Sequence, residues 1–473
     1  MMKPDGLLVS IDPPREPPRE GGLERCPVDI VLVIDISSSM AQAAPPPGAK
    51  AGNDTEGEGL SVLDLVRHAA HAIIETLNEK DRLSIVTYNN GATPRGATNM
   101  WAGLRKGLMQ FKEAPKKGEG KGADNVPALF LLTDGMPNFM CPIEGYVPAL
   151  RPLLKKAGEA LPIMPTVHTI GFGYEIRSGL LQGIAEAAGG NYAFIPDSGM
   201  IGTVFVNAIA NLYTTFATSA TLTLTTSGSS ALELKPLEGA ALYADHGDDL
   251  VITLSNLQFG QSRDIFIDYG RQGPRSDSIV FAKLEYTKPG HARQEVVVMT
   301  PAAQASKSLD PSVASYHLYR AKLCQFLASH FIQQEDMSYE PGTWNGPSKQ
   351  EKLASLASEL KSCGYNDDLH KSLLEDLNGK EPRGQIRIAV SEESCFRKWG
   401  MHYLPSLLHA HRNQMRNTFK DPGPLQYGKG STLFVKYNKE LNELFNDLDV
   451  WPGSLEPTHM AGPHGSHYDA QYR

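Results

Sequence analysis

The run "DIVLVID" (29–35) constrains the fold more than any other stretch of the chain. Five consecutive aliphatic residues, Ile30 to Ile34, stand between two aspartates. A strand apolar on both faces lacks the alternation of a sheet with one wet side. It belongs inside a parallel sheet covered on both faces. The following sequence keeps to that plan. Ser61 opens a helix with Asp64 three residues on, a capping-box-like start, and Val62, Leu65, Val66, Ala69, Ala70, Ile73 and Leu77 line one helical face. "RLSIVTY" (82–88), "VPALFLLTDG" (126–135), "IMPTVHTIGFG" (163–173) and "YAFIP" (192–196) read as further strands. "VPALRPLLKKAGEAL" (147–161), despite Pro152, and "RSGLLQGIAEAAGG" (177–190) read as helices between them, and a last helix runs through "VFVNAIANLYTTF". Strands alternating with helices predict right-handed crossovers and an α/β, doubly wound, Rossmann-like domain over residues 26–219.

At 473 residues the chain exceeds one ordinary domain, and its patterning changes twice more. Over 220–302 the period becomes two, as in "TLTLTT", "LVITLSNL" and "SRDIFIDYG", predicting an antiparallel β-sandwich. Residues 303–450 read as mainly helical. A Pro-, Arg- and Glu-rich leader (1–25) is expected to be disordered, and 451–473 to be a flexible tail.

The formal charge of −8, from 53 acids and 45 bases, comes without a long basic run, which argues against nucleic acid or an anionic membrane surface as main partner. Five cysteines (26, 141, 324, 363 and 395) form no C-x-x-C pair. That excludes a zinc ribbon or disulfide scaffold and fits a reducing, cytoplasmic compartment. No segment reaches the roughly 18 to 20 apolar residues of a membrane helix, and the N-terminus lacks a signal-peptide core.

Asp35, Ser37 and Ser39 follow the first strand, and Asp134 follows "LFLLT". In open parallel sheets ligands sit beyond the carboxyl ends of strands. Taken alone, Asp35 has three readings: metal ligand, helix cap, or the place where the strand meets water. Two aspartates brought together are costly unless a cation neutralises them. Oxygen ligands without His or Cys suit Mg2+, or Mn2+, over zinc.

D-x-S-x-S after an apolar strand, with T-D-G further on, resembles the von Willebrand factor A (VWA) domain and its metal-ion-dependent adhesion site. The family's remaining ligand is a threonine in a glycine-containing loop before a helix, matched by Thr98 in "RGATNMWAGLRKGL". The resemblance implies that Ser37, Ser39 and Thr98 bind the ion through hydroxyls, that Asp35 and Asp134 act through water, and that a partner's Asp or Glu completes the coordination. One departure stands out. The family usually places an antiparallel edge strand and a helix between its second strand and the threonine loop, and here only "NNGATPRGA" (89–97) intervenes. Residues 83–88 are therefore expected to form an exposed sheet edge, needing a partner, a covering loop or an error in the gene prediction to account for it. "AQAAPPPGAKAGNDTEGEG" (41–59) and "EAPKKGEGKGADN" (113–125) read as loop insertions near the metal edge.

"CFRKWGMHYLPSLLHAHRNQMRNTFKDPG" (395–423) resembles the Vwaint segment of a fungal and protist family joining a VWA domain to this region, often with a Hint (intein-like) domain or a U-box. The "NLQFGQSRD" stretch (256–264) belongs to the same resemblance. Neither a Hint insert nor a U-box is visible. From the residues, Phe396, Trp399 and Tyr403 form a core stripe before Pro405 starts a new helix, and Asp421-Pro422-Gly423 is a turn. His409 and His411 face different sides of their helix, away from a shared metal. These readings lead to a non-enzymatic, magnesium-dependent protein-binding module. The alternatives are an adaptor of ubiquitination or a remnant of a Hint-type autoprocessing protein, with the VWA domain as scaffold, and a purely structural scaffold.

Overall fold

Strands β2 (Val28–Asp35) and β4 (Val126–Thr133) are buried along their whole length, as their unbroken apolar runs require. A computed structural model of the protein describes residues 6–17, 25–44, 60–89, 98–111, 124–227, 234–269, 278–301, 310–379 and 384–448. β2 and β4 lie at the centre of a five-stranded parallel sheet of order β3-β2-β4-β5-β6, with β3 at Arg82–Tyr88, β5 at Thr166–Phe172 and β6 at Tyr192–Ile195. Helices α1 (Val62–Thr76) and α5 (Ile201–Tyr213) cover one face. Helices α2 (Met100–Gln110), α3 (Tyr146–Ala160) and α4 (Ser178–Ala187) cover the other.

Local chemistry sets the helix starts. The Ser61 hydroxyl accepts from the Asp64 amide and the Asp64 carboxylate accepts from the Ser61 amide, a complete capping box. Asn99 caps α2 by accepting from Ala102 N at 3.0 Å. Gly103 and Gly107 let α2 lie directly on the sheet: a Cβ at either position would come within 2.5 Å of Tyr88 or Val33. That close approach holds the N-terminus of α2, and Thr98 just before it, against the strand ends.

Among the described strands β3 is the terminal one of the parallel sheet, on the side where an exposed edge is expected. On it Val86 and Tyr88 are buried, while Ile85 is 48% exposed. Residues 90–97 of the connection, most of both insertions (45–59 and 112–123) and the tail lie outside the described residues.

After α5, β7 (Thr215–Ser227) follows almost directly and joins an antiparallel sheet of order β13-β12-β7-β10-β9, where β9 is Leu242–Asp245, β10 Asp249–Gln258, β12 Ile279–Thr287 and β13 Arg293–Pro301. A second, three-stranded antiparallel sheet packs on it through an aliphatic core. Its members correct the expectation of a disordered leader: Gly6–Ile11 forms β1 and pairs with β11 (Arg263–Asp268), which also pairs with β8 (Lys235–Pro236). "GLLVSI" is short, but Leu7 and Ile11 gain burial by closing the sandwich, which no local pattern announces.

The C-terminal third is mainly helical, and much of its core is continuous with that of α2, α3 and α4. Helix Thr432–Asp447 instead packs on α1 and α5. Two local readings are corrected. Pro405 does not start a helix but lies inside Met401–Asn413, which follows a π-helical turn at Phe396–Gly400. Asp421-Pro422-Gly423 is not a separate turn: the buried Asp421 precedes the short helix Pro422–Gln426, with Pro422 and Gly423 in its first turn.

Candidate metal centre

The C-terminal ends of β2 and β4 are neighbours in the sheet, so the residues just beyond them must meet. Asp35, the last residue of β2, is fully buried. Its Oδ1 accepts from Ser37 N at 2.9 Å and its Oδ2 from Thr133 Oγ1 at 2.8 Å. A 3₁₀ turn at Ser38–Ala41 then curls the chain back, setting the Ser37 and Ser39 hydroxyls 3.0 Å apart. Ser39 Oγ donates to Asp134 Oδ1 at 2.9 Å. Thr98 is buried and tied to the loop after β4: its N–H donates to Asn138 Oδ1 at 2.8 Å, and its carbonyl accepts from Asn138 N at 3.3 Å. Gly135 lies between the hydroxyls, its Cβ position 3.7 Å from Ser39 Oγ and 3.8 Å from Thr98 Oγ1.

All five residues singled out in the sequence, Asp35, Ser37, Ser39, Thr98 and Asp134, thus share one sheet edge. Thr133 and Asn138 are the members that motif reasoning missed. Thr133 is within "LLTDG", but its role in holding Asp35 follows from strand register. No pattern marks Asn138.

Burial disfavours the charged form of both carboxylates. Burial pushes Asp134 up to about 6; the Ser39 hydrogen bond opposes this and repulsion from Asp35 adds to it. Burial also raises Asp35, against the hydrogen bonds from Ser37 and Thr133. Among the described residues neither carboxylate has a Lys or Arg ion pair. The donors are carboxylate and hydroxyl oxygens, the set a hard divalent cation prefers. Ser39 and Asp134 also line an open groove of about 330 Å³, floored by Phe172, Ile195 and Ile201 and rimmed by Glu175 and Asp197.

The histidines of the C-terminal segment have structural partners. His402 Nδ1 meets Ser178 Oγ at 2.7 Å, His409 Nε2 meets Glu186 at 3.2 Å, and His411 lies between Tyr427 OH and Asp376 at 2.9 and 3.1 Å. Burial lowers the pKa of all three, to about 4 for His402 and about 3 for His411. The acids near His409 and His411 come from positions remote in sequence.

Comparison with known proteins finds a family match over part of the chain. Residues 367–443 match the family model Vwaint, described as "VWA / Hh protein intein-like". An uncharacterized protein of Synechocystis is 29% identical over 197 residues, 36% of this chain and 38% of that protein, so the match spans well under half of the relative. Among solved structures, the ArnB paralog VWA2 of Sulfolobus acidocaldarius aligns over 82% of this chain and 90% of its own, at 13% identity and a TM-score of 0.45. A von Willebrand factor type A protein of Catenulispora acidiphila aligns over 78% and 89%, at 14% identity and a TM-score of 0.44. The Vwaint match falls on the segment whose side chains seat the last strand of the parallel sheet, so over residues 367–443 the chain is similar to the Vwaint family.

Proposed function

We propose that the protein is a non-enzymatic, magnesium-dependent protein-binding module of the cytoplasm. Ser37, Ser39 and Thr98 would hold the cation through their hydroxyls, with Asp35 and Asp134 acting through bound water. The observation that carries this reading is the convergence of three remote segments on one buried and one half-buried carboxylate, which among the described residues have no basic counter-charge. The hydroxyls are neutral, so an ion held there keeps a deficit of negative charge. An Asp or Glu offered by a partner would make up that deficit, and Mg2+ supplies the Lewis acidity for the contact. Five free thiols fit a reducing compartment. Among the described residues no helix is long and apolar enough to cross a membrane.

Two measurements test this. Titration calorimetry with MgCl2 or MnCl2 should give a saturable signal with the wild type and none with Asp35→Ala. Affinity purification with Mg2+ and with chelator, read by mass spectrometry, should give partners lost both in chelator and in Asp35→Ala. Partner sets unchanged by both treatments would reject the reading.

A further inference from the structure

The loop from Asp134 to Gly145, between β4 and α3, presents large apolar side chains to solvent directly beside the candidate metal centre. Met136 is 50% exposed, Met140 68% and Ile143 103%, and Cys141 is exposed as well. Isolated exposed apolar residues are ordinary, but three within eight positions of one loop concentrate apolar surface there, as binding surfaces do. The loop is tied down. Asn138 is clamped to Thr98 through two hydrogen bonds, Gly145 N donates to Pro142 O at 3.1 Å, and the loop ends in the buried Tyr146, which meets Trp101 edge-on. Met140 itself is held at φ +50, a conformation costly for a non-glycine residue. The apolar side chains are therefore presented from a braced loop whose first residue is a candidate ligand and whose clamp is another.

We propose that this loop reads the residues flanking the partner's acidic side chain: a protein segment whose Asp or Glu goes to the cation and whose neighbouring aliphatic or aromatic side chains cover Met136, Met140 and Ile143. The acidic half rests on the metal-dependent reading above; the apolar half does not. Two features favour a protein segment over a lipid surface. Residues 134–145 contain no Lys or Arg, while Asp134 and Glu144 give the loop negative charge, the reverse of what an anionic bilayer attracts. Methionine is also the apolar side chain best able to adapt to varied partner surfaces.

The probe is a set of fluorescein-labelled 12-residue peptides with one central Asp, flanked on both sides by Leu or by Ser. Binding is read by fluorescence polarisation in Mg2+ and in EDTA. In Mg2+ the wild type should hold the Leu-flanked peptide at least about tenfold more tightly, the value of burying one aliphatic side chain. The variant M140D/I143D should lose that preference yet titrate Mg2+ like the wild type. Equal affinity for the two peptides, no binding of either, or a preference untouched by M140D/I143D overturns the proposal. The chelator separates the two readings. A Leu preference that survives EDTA and Asp35→Ala upholds the loop and rejects the metal reading, whereas loss of all binding in EDTA upholds both. Cosedimentation with phosphatidylcholine vesicles that M140D/I143D abolishes, without any peptide preference, assigns the loop to lipid and overturns the proposal.

Discussion

Glu186 shows how single residues bind the parts of the molecule together. Its carboxylate meets Gln182 Nε2 at 3.0 Å, His409 Nε2 at 3.2 Å, and Arg412 Nη1 and Tyr339 OH at 2.6 Å each. Burial raises its pKa, but the Arg412 charge and the hydrogen bonds outweigh burial and hold the carboxyl well below the usual range. A depressed folded-state pKa contributes stability that is present above the unfolded value near 4.5 and is lost as pH falls. Glu186→Gln leaves the buried Arg412 without its counter-charge, which should cost about 3–5 kcal/mol in urea unfolding at pH 7. The gap between wild type and variant should narrow as pH is lowered from about 5 toward 3; a constant gap would assign the loss to packing instead.

At the scale of elements, the two edges of the parallel sheet are treated differently. On β6, Tyr192 N donates to His409 Nδ1, Phe194 N to Ser406 Oγ, and Asn417 Nδ2 donates to Tyr192 O. The free edge is thus hydrogen-bonded by side chains of the helix Met401–Asn413 and the loop after it, which blocks strand addition there. No such cover is seen on β3 among the described residues, and its Ile85 faces solvent. Ile85→Lys places a gatekeeper charge on that edge. It should change stability by no more than about 0.5 kcal/mol while lowering the light scattered by concentrated solutions. Unchanged scattering would mean that the edge is covered in the whole protein.

At the scale of the molecule, the core beneath α2, α3 and α4 runs without interruption into the C-terminal helices. The parallel sheet is therefore not an independent unit, although its sequence alternates like one. A fragment of residues 25–219 should bind the dye ANS and aggregate, because it uncovers β6 and one side of that shared core. The span 6–448 should elute as a defined species without dye binding. A monomeric, dye-free 25–219 fragment would show the helical region to be an appendage.

Some of this was legible in local sequence, because the physics involved is local. The five-residue aliphatic run at Ile30 requires burial on both faces, Ser61 and Asp64 form a cap within one turn, and strand-end aspartates meet because parallel neighbours finish together. The short path from Tyr88 to Thr98 likewise implies that β3 is an edge, since too few residues remain for another strand and helix. Other features had no local signature. "GLLVSI" becomes a strand only because Arg263–Asp268 offers a partner more than 250 positions away, a pairing paid for by burial in the sandwich. Asp421 and Pro405 follow turn and helix-start rules that the surrounding core overrides. The sequence by itself determined the α/β class and placed Asp35, Ser37, Ser39 and Asp134 at one sheet edge, while Thr98 came from the resemblance to the VWA domain. Only tertiary structure decided that Asn138 braces Thr98, that His409 and Ser406 serve a strand edge with His409 also meeting Glu186, and that Met140 and Ile143 face solvent beside the site. Those facts depend on contacts between distant segments, which no periodicity encodes.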